Sequence, residues 1–237
     1  SLAQCRRGIG LVEMLVTIAL GLFLVSVTAG MLIAQLAEHR RLLLDTRMTQ
    51  ELRAVLDLVA RDVKRAGYWG SAADVVWAGG PAPSASNPYQ GMYPAAGASD
   101  SRIGWAYSRD SSEDQVVAGS ERFGLRLNTG NRSADWRTSG SAVTPADTDT
   151  WQALTDPGLV RITRVTVTSR EDSVALTDRC ASTTCATSAP DCPPRLVVRR
   201  VDIEVEGVAT SDPGLRRRLA AQVNLRNPAV VGRCPGT

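Results

Sequence analysis

The chain has 237 residues, 43% of them hydrophobic, with 27 basic and 24 acidic side chains and a formal net charge of +3. That composition is globular, not disordered, and allows one or two domains. Two of the three excess positive charges are Arg6 and Arg7, and only 5% of residues are aromatic. Nucleic acid is therefore not expected as a partner, because a concentrated basic face and a stacking surface are both wanting.

In chain order, the first feature is "RRGIGLVEMLV" at 6–16, which sets one acid, Glu13, against a long apolar run. From Met14 to Leu36 no residue carries a formal charge, a length above the roughly 20 residues needed to span a bilayer. The apolar region of a secretory signal is shorter, about 7–15 residues. A charge inside a membrane helix costs roughly 2.5–3.5 kcal/mol on insertion scales, so Glu13 is either an interfacial residue at headgroup level or a functional one. Arg6 and Arg7 favour a cytoplasmic N-terminus. Cys180, Cys185, Cys192 and Cys234 all lie downstream, an even number suited to disulfides in an oxidising compartment, whereas Cys5 lies upstream. The expected topology is a single pass through the inner membrane, N-terminus inside and C-terminal body in the periplasm.

Past the membrane segment, Met48, Leu52, Val55, Leu56 and Val59 recur at spacings of three and four, the mark of an amphipathic helix. Charged pairs at i,i+4 such as Arg47/Glu51 and Arg53/Asp57 line the other face. No Pro interrupts 9–66, and Gly67 follows the basic turn Lys64–Arg65–Ala66 as a C-cap. A continuous helix over 9–66 would be about 87 Å long at about 1.5 Å per residue. Its division into a transmembrane part (9–36) and an amphipathic part (37–66) leaves one apolar stripe in want of a protein surface.

Beyond Gly67 the chain changes character. Residues 77–101 are rich in Gly, Pro, Ala and Ser and read as a long loop. "RFGLRL" (122–127) predicts a short strand. In 159–169, Val160 and Ile162 alternate in one phase and Val165 and Val167 in the other, which predicts a bulge near Thr163–Arg164. "VDIEVE" (201–206) alternates cleanly, and "RLAAQVNLR" (218–226) matches it across the turn signal Asp212–Pro213–Gly214, so the two predict a hairpin. The fold class is α+β: a long helix whose stripe covers one small antiparallel sheet, with the body spanning 67–237.

Taken together, the basic leader ending in Gly8, then Ile9, Glu13 four residues later, the membrane-length helix and the β-rich body resemble the type IV pilin superfamily. "LDLVARDVKRAGYWG" (56–70) and "VNLRNP" (223–228) are similar to stretches of its PilW-type minor pilins. The resemblance implies that 1–8 is a leader, that a membrane peptidase cuts after Gly8, and that Ile9 becomes the methylated first residue. It also implies, as partners, other minor pilins and the major pilin, the prepilin peptidase and methylase, and the inner membrane. The role implied is that of a structural component in the initiation or tip assembly of a pilus, reaching the cell surface. Cleavage would create an α-amine at Ile9, and this amine and the Glu13 carboxylate cost much less to bury together than apart. Between neighbouring subunits, such a pair would set axial register. A J-type minor pseudopilin of a type II secretion system would share this architecture, and a single-pass exported ligand-binding protein is the reading from a different class. A static anchor needs neither the cut at Gly8 nor Glu13.

Candidates for chemistry are few. His39 is the only histidine and sits beside Arg40 and Arg41, and no H-x-x-x-H, G-x-S-x-G or phosphate-loop pattern occurs. No catalytic centre, cofactor, metal or small-molecule substrate is expected. The exported cysteines follow C-x4-C-x6-C-x41-C, without the two close pairs of a structural zinc site. They allow three connectivities. Cys180–Cys185 with Cys192–Cys234 is the preferred one, because the second bond would tie the tail to the start of the closing hairpin. "DTD" (147–149) reads as turn chemistry, and Arg216–Arg218 as a solvated or subunit-facing edge.

Overall fold

A computed structural model describes residues 10–72, 87–110, 113–182, 184–185 and 191–235. Helix α1 runs from Leu11 to Val63. The chain divides into two units, residues up to Arg47 and the remainder from Met48. In the first unit the apolar side chains of α1, among them Leu11, Leu22 and Phe23, are exposed, and the helix is long and apolar enough to cross a membrane. Its hydroxyls are satisfied within the helix: Thr17 donates to the Met14 carbonyl, Ser26 to Phe23 and Thr28 to Leu24. An apolar solvent offers such groups no other partner. Gly30 lies within the helix and does not interrupt it.

In the second unit, the stripe of Met48, Leu52, Val55, Leu56, Val59 and Val63 is buried, as the spacing predicts. The regular helix ends three residues before the expected 66. Its last turn tightens, with the amides of Arg65 and Ala66 donating to Asp62 and Val63, so that orphan carbonyls find partners in i,i+3 bonds. Gly67 follows at φ +74°, a left-handed C-cap that favours glycine.

The body holds two antiparallel sheets where one was expected. Sheet I has the order β1-β3-β4-β5-β6, formed by Met92–Tyr93, Arg102–Ala106, Arg122–Asn128, Ser133–Ser139 and Thr150–Ala153. Sheet II contains β2 (Ser99–Asp100), β7 (Val160–Ala175), β8 (Arg195–Ala209), β9 (Arg216–Asn224) and β10 (Ala229–Val231). Its order is β10-β8-β7-β2, with β9 also paired to β8. Strand β5 escapes a reading by hydrophobic alternation because its inward residues are polar: Ser133, Asp135 and Arg137 are all buried.

Sheet II follows the sequence closely. Ile162 pairs with Gly207 and Arg164 with Glu206, leaving Thr163 as the bulged residue. The extra residue returns Val165 and Val167 to the face that buries Val160 and Ile162. A Cβ at Gly207 would lie 2.7 Å from Cγ2 of Val160, so the close pairing there requires glycine. The β8–β9 hairpin sets Val205 opposite Leu219 and Val201 opposite Val223. At its turn the Asp212 side chain accepts the Gly214 amide.

Both disulfides form, with a connectivity other than the preferred one: Cys180 bonds Cys234, and Cys185 bonds Cys192. The tail is indeed tied down, but to the end of β7. Strand β10 lies against the start of β8, Val231 opposite Arg195, and Arg195 is in turn opposite Ala175 of β7. Cys234 therefore arrives beside the turn Thr177–Arg179 and its neighbour Cys180. That leaves Cys185 and Cys192 to close the β7–β8 connection.

Candidate functional site

Gly8 and Ile9 lie outside the described residues. Glu13 stands in the first turn of α1, its amide bonded to the Gly10 carbonyl at 3.0 Å. Leu11, Val12, Met14 and Leu15 around it are exposed, so the carboxylate occupies an open apolar helix surface. His39 is exposed on the same helix.

In the second unit, the end of α1 is met by several separate segments of the chain. Its last carbonyls are capped from elsewhere in the chain. Asn227 Nδ2 donates to the carbonyls of Arg65 and Ala66 at 3.1 Å each, and the Arg226 amide to that of Lys64 at 3.2 Å. Asn87 Nδ2 donates to Gly67 at 2.8 Å, and the Gly67 amide bonds the Ala106 carbonyl. The "AGYWG" and "LRNP" stretches are thus two halves of one helix terminus, which is the physical reason for their pairing. Trp69, Tyr89 and Ala106 form a small apolar cluster beneath.

Asp62, one turn earlier, accepts from Trp105 Nε1 at 3.2 Å and from the Tyr107 hydroxyl at 2.9 Å. Burial raises its pKa above the usual carboxylate range, and those two bonds only partly offset the effect. Burial and the Asp62 carboxylate together push Tyr107 up to about 12. The Tyr107 ring stacks on Phe123 with centroids 4.4 Å apart. Above these residues opens a cleft of about 610 Å³ lined by Lys64, Arg65, Tyr68, Tyr107, Ser108, Arg109, Arg226 and Asn227. Its four cations, all exposed, went unnoticed in the sequence because they come from three separate segments.

The model of the family described as prepilin peptidase-dependent protein B matches residues 41–225. The chain belongs to that family. The match begins beyond Gly8, Ile9 and Glu13, so it rests on the amphipathic half of α1 and the β-body and is independent of the N-terminal motif. Among curated proteins and solved structures none matches. Membership places this prepilin peptidase-dependent chain among pilus-related proteins.

The remaining polar clusters of this family member are engaged in holding the fold. Glu121 is buried and accepts from the amides of Arg109 at 2.7 Å and Ala118 at 2.9 Å. Glu113 accepts from the amides of Gly70 and Gln115 and from the Tyr89 hydroxyl. Asp110 and Asp114 lie close to it, but the Glu113 oxygens are already committed. In "DTD", Asp147 pairs with Arg102 and Arg126, both at 3.1 Å, and Asp149 with Arg137. Both aspartates therefore anchor the β5–β6 connection. Arg218 is paired with Glu204 and Glu206 across the hairpin, and the arginines give the edge strand β9 the charges that discourage unwanted strand pairing.

Proposed function

We propose that this chain is a non-catalytic minor pilin of the PilW type, acting in the initiation or tip assembly of a type IV pilus. The observation that supports this reading is the division of one helix into two kinds of surface. The α1 segment from Leu11 to Leu43 exposes its large apolar side chains, whereas the stripe from Met48 to Val63 is buried in the β-bearing unit. Such a helix can pass from lipid into a bundle of like helices while its far half carries a folded body. Membership of a prepilin peptidase-dependent family supports processing after Gly8, which frees the Ile9 amine to meet a Glu13 carboxylate. A lone pair of opposite charges in an apolar bundle is satisfied at one stagger only, so it sets register between subunits. On this reading the partners are the peptidase, the major pilin and other minor pilins, with the N-terminus cytoplasmic and the body periplasmic.

The test is mass spectrometry of the protein extracted from membranes of a strain with active peptidase. The expected N-terminus is Ile9 carrying one methyl group. Recovery of only intact protein beginning upstream of Gly8 would overturn the pilin reading.

A further inference from the structure

The cleft at the end of α1 goes beyond an assembly role for Glu13. Lys64 and Arg65 come from the last turn of the helix, Arg109 from the segment after β3, and Arg226 from the segment after β9. Cations at a helix C-terminus ordinarily complement the partial negative charge of its open carbonyls. Here the carbonyls of Lys64, Arg65, Ala66 and Gly67 are each taken by donors from Arg226, Asn227 or Asn87. Arg109 and Arg226 do not belong to the helix at all. Among the described residues Lys64, Arg109 and Arg226 form no ion pair within 4.0 Å; Arg65 reaches Asp62 at 4.0 Å and the Tyr107 side chain, and Arg109 lies over the Phe123 ring, 5.8 Å from its centroid. No carboxylate lines the cleft, and Asp62 below it is held by Trp105 and Tyr107.

We propose that this cleft is a receptor for an acidic peptide segment of a partner protein, whose carboxylates are taken by Lys64, Arg65, Arg109 and Arg226. Charge complementarity carries the choice of ligand. Arginine forks match carboxylates in bidentate geometry, and four cations converging on one cleft suit a compact group of acids. Tyr68, 52% exposed, offers an aromatic wall for the peptide's carbon chain, while Ser108 and Asn227 add polar contacts. A polyanion such as DNA needs a basic track that follows its backbone. Away from the cleft, Arg102, Arg126, Arg170 and Arg218 are each paired with acids, which interrupts any such track.

The experiment uses the full chain solubilised in detergent and a fluorescein-labelled tetraglutamate peptide, read by fluorescence anisotropy, with labelled tetraglutamine as control. Saturable binding of tetraglutamate alone is expected, weakening as salt is raised. Arg109→Gln with Arg226→Gln should weaken it about tenfold or more, given the strength of charge-assisted hydrogen bonds. Both side chains are exposed, the Arg226 amide that caps Lys64 is retained and Arg109 gives up only its approach to the Phe123 ring at 5.8 Å, so the thermal midpoint should move little. Lys64→Gln serves as an independent second variant, and Arg216→Gln as a control away from the cleft that should bind normally. Absence of tetraglutamate binding, or equal binding by the cleft variants, would overturn the proposal. So would tighter binding of a labelled single-stranded oligonucleotide that the same variants abolish, since the cleft would then be a nucleic-acid site. None of these outcomes bears on processing at Gly8.

Discussion

Arg137 and Asp149 make a 2.6 Å ion pair whose side chains are 0% and 3% exposed. The guanidinium also donates to the carbonyls of Ala142 at 2.6 Å and Val143 at 3.3 Å. Asp149 in turn accepts the Ala146 amide at 2.7 Å. One buried cation thus gathers both ends of the connection between β5 and β6, whose middle is held by Arg102 and Arg126 at Asp147. The fit is tight: a Cβ at Gly140 would lie 1.9 Å from Arg137 Nη2, and one at Gly104 would lie 2.1 Å from the Val143 carbonyl.

Removing one partner leaves an uncompensated buried charge, so Asp149→Ala should destabilise the body by about 3–5 kcal/mol. Arg137→Met with Asp149→Leu should lose less than that single change, because no buried charge is stranded. Urea unfolding followed by tryptophan fluorescence checks both, since Trp136 and Trp151 flank the connection. A single variant as stable as wild type would mean that the pair contributes nothing to the fold.

The pH dependence should show two opposite signs. Burial alone would raise Asp149, but the Ala146 amide and the Arg137 charge outweigh it and hold the group below its ordinary value. Its contribution is therefore complete above the unfolded pKa of about 3.9 and is lost as pH falls through the lower folded value. Asp62 behaves in the reverse way. Burial raises its folded pKa, so its contribution is complete below about pH 3.9 and is lost as pH rises through the folded value. The stability of wild type relative to Asp62→Asn should grow as the solution is acidified toward pH ~4. A constant difference across that range would remove the buried-carboxylate account.

Much of this architecture was legible in the sequence, because apolar periodicity reports directly on burial. The stripe from Met48 to Val59, the cap at Gly67, the bulge at Thr163 and the hairpin turn at Asp212–Pro213–Gly214 all follow from spacing or turn chemistry. Sheet I was largely hidden. Strand β5 turns Ser133, Asp135 and Arg137 inward, and β1 has only two residues, so neither shows alternation. The disulfide pairing was illegible because it depends on β10 returning alongside β8, a long-range event. The basic cleft gathers residues 64–68, 107–109 and 226–227, which the helix cap, the Ser108 amide bond to the Tyr68 carbonyl and the Tyr107–Asp62 bond bring together.

Disulfide removal should have unequal effects. Cys180–Cys234 spans 54 positions and Cys185–Cys192 only 7. In the chain-entropy model these stabilise by about 4 and about 2 kcal/mol. Paired serine substitutions should reproduce that order in urea unfolding, and loss of the longer link should free β10 to fast amide exchange. Non-reducing peptide mapping of exported protein should recover the 180–234 and 185–192 peptides. Recovery of 180–185 and 192–234 instead would refute the connectivity.

The last prediction concerns Glu13, which sits on an exposed apolar surface of α1. Glu13→Ala removes a charge from the first unit and touches no buried residue of the body, so the thermal midpoint of the body should not move. What should fail is assembly, with the protein held in the inner membrane and surface pili reduced in number. On the proposed reading, the Ile9 amine of a processed chain would enter an apolar bundle unpaired without this carboxylate, a cost of several kcal/mol per ion even after relaxation of the bundle. Glu13→Gln should resemble Ala, because an amide can hydrogen-bond the amine but cannot neutralise it. Glu13→Asp keeps the charge at shorter reach and should be the mildest of the three. Pilus counts and cross-linking to neighbouring pilins, compared at matched expression, give the ranking. Normal piliation in all three would reduce Glu13 to an interfacial residue and favour an exported binding protein that never assembles.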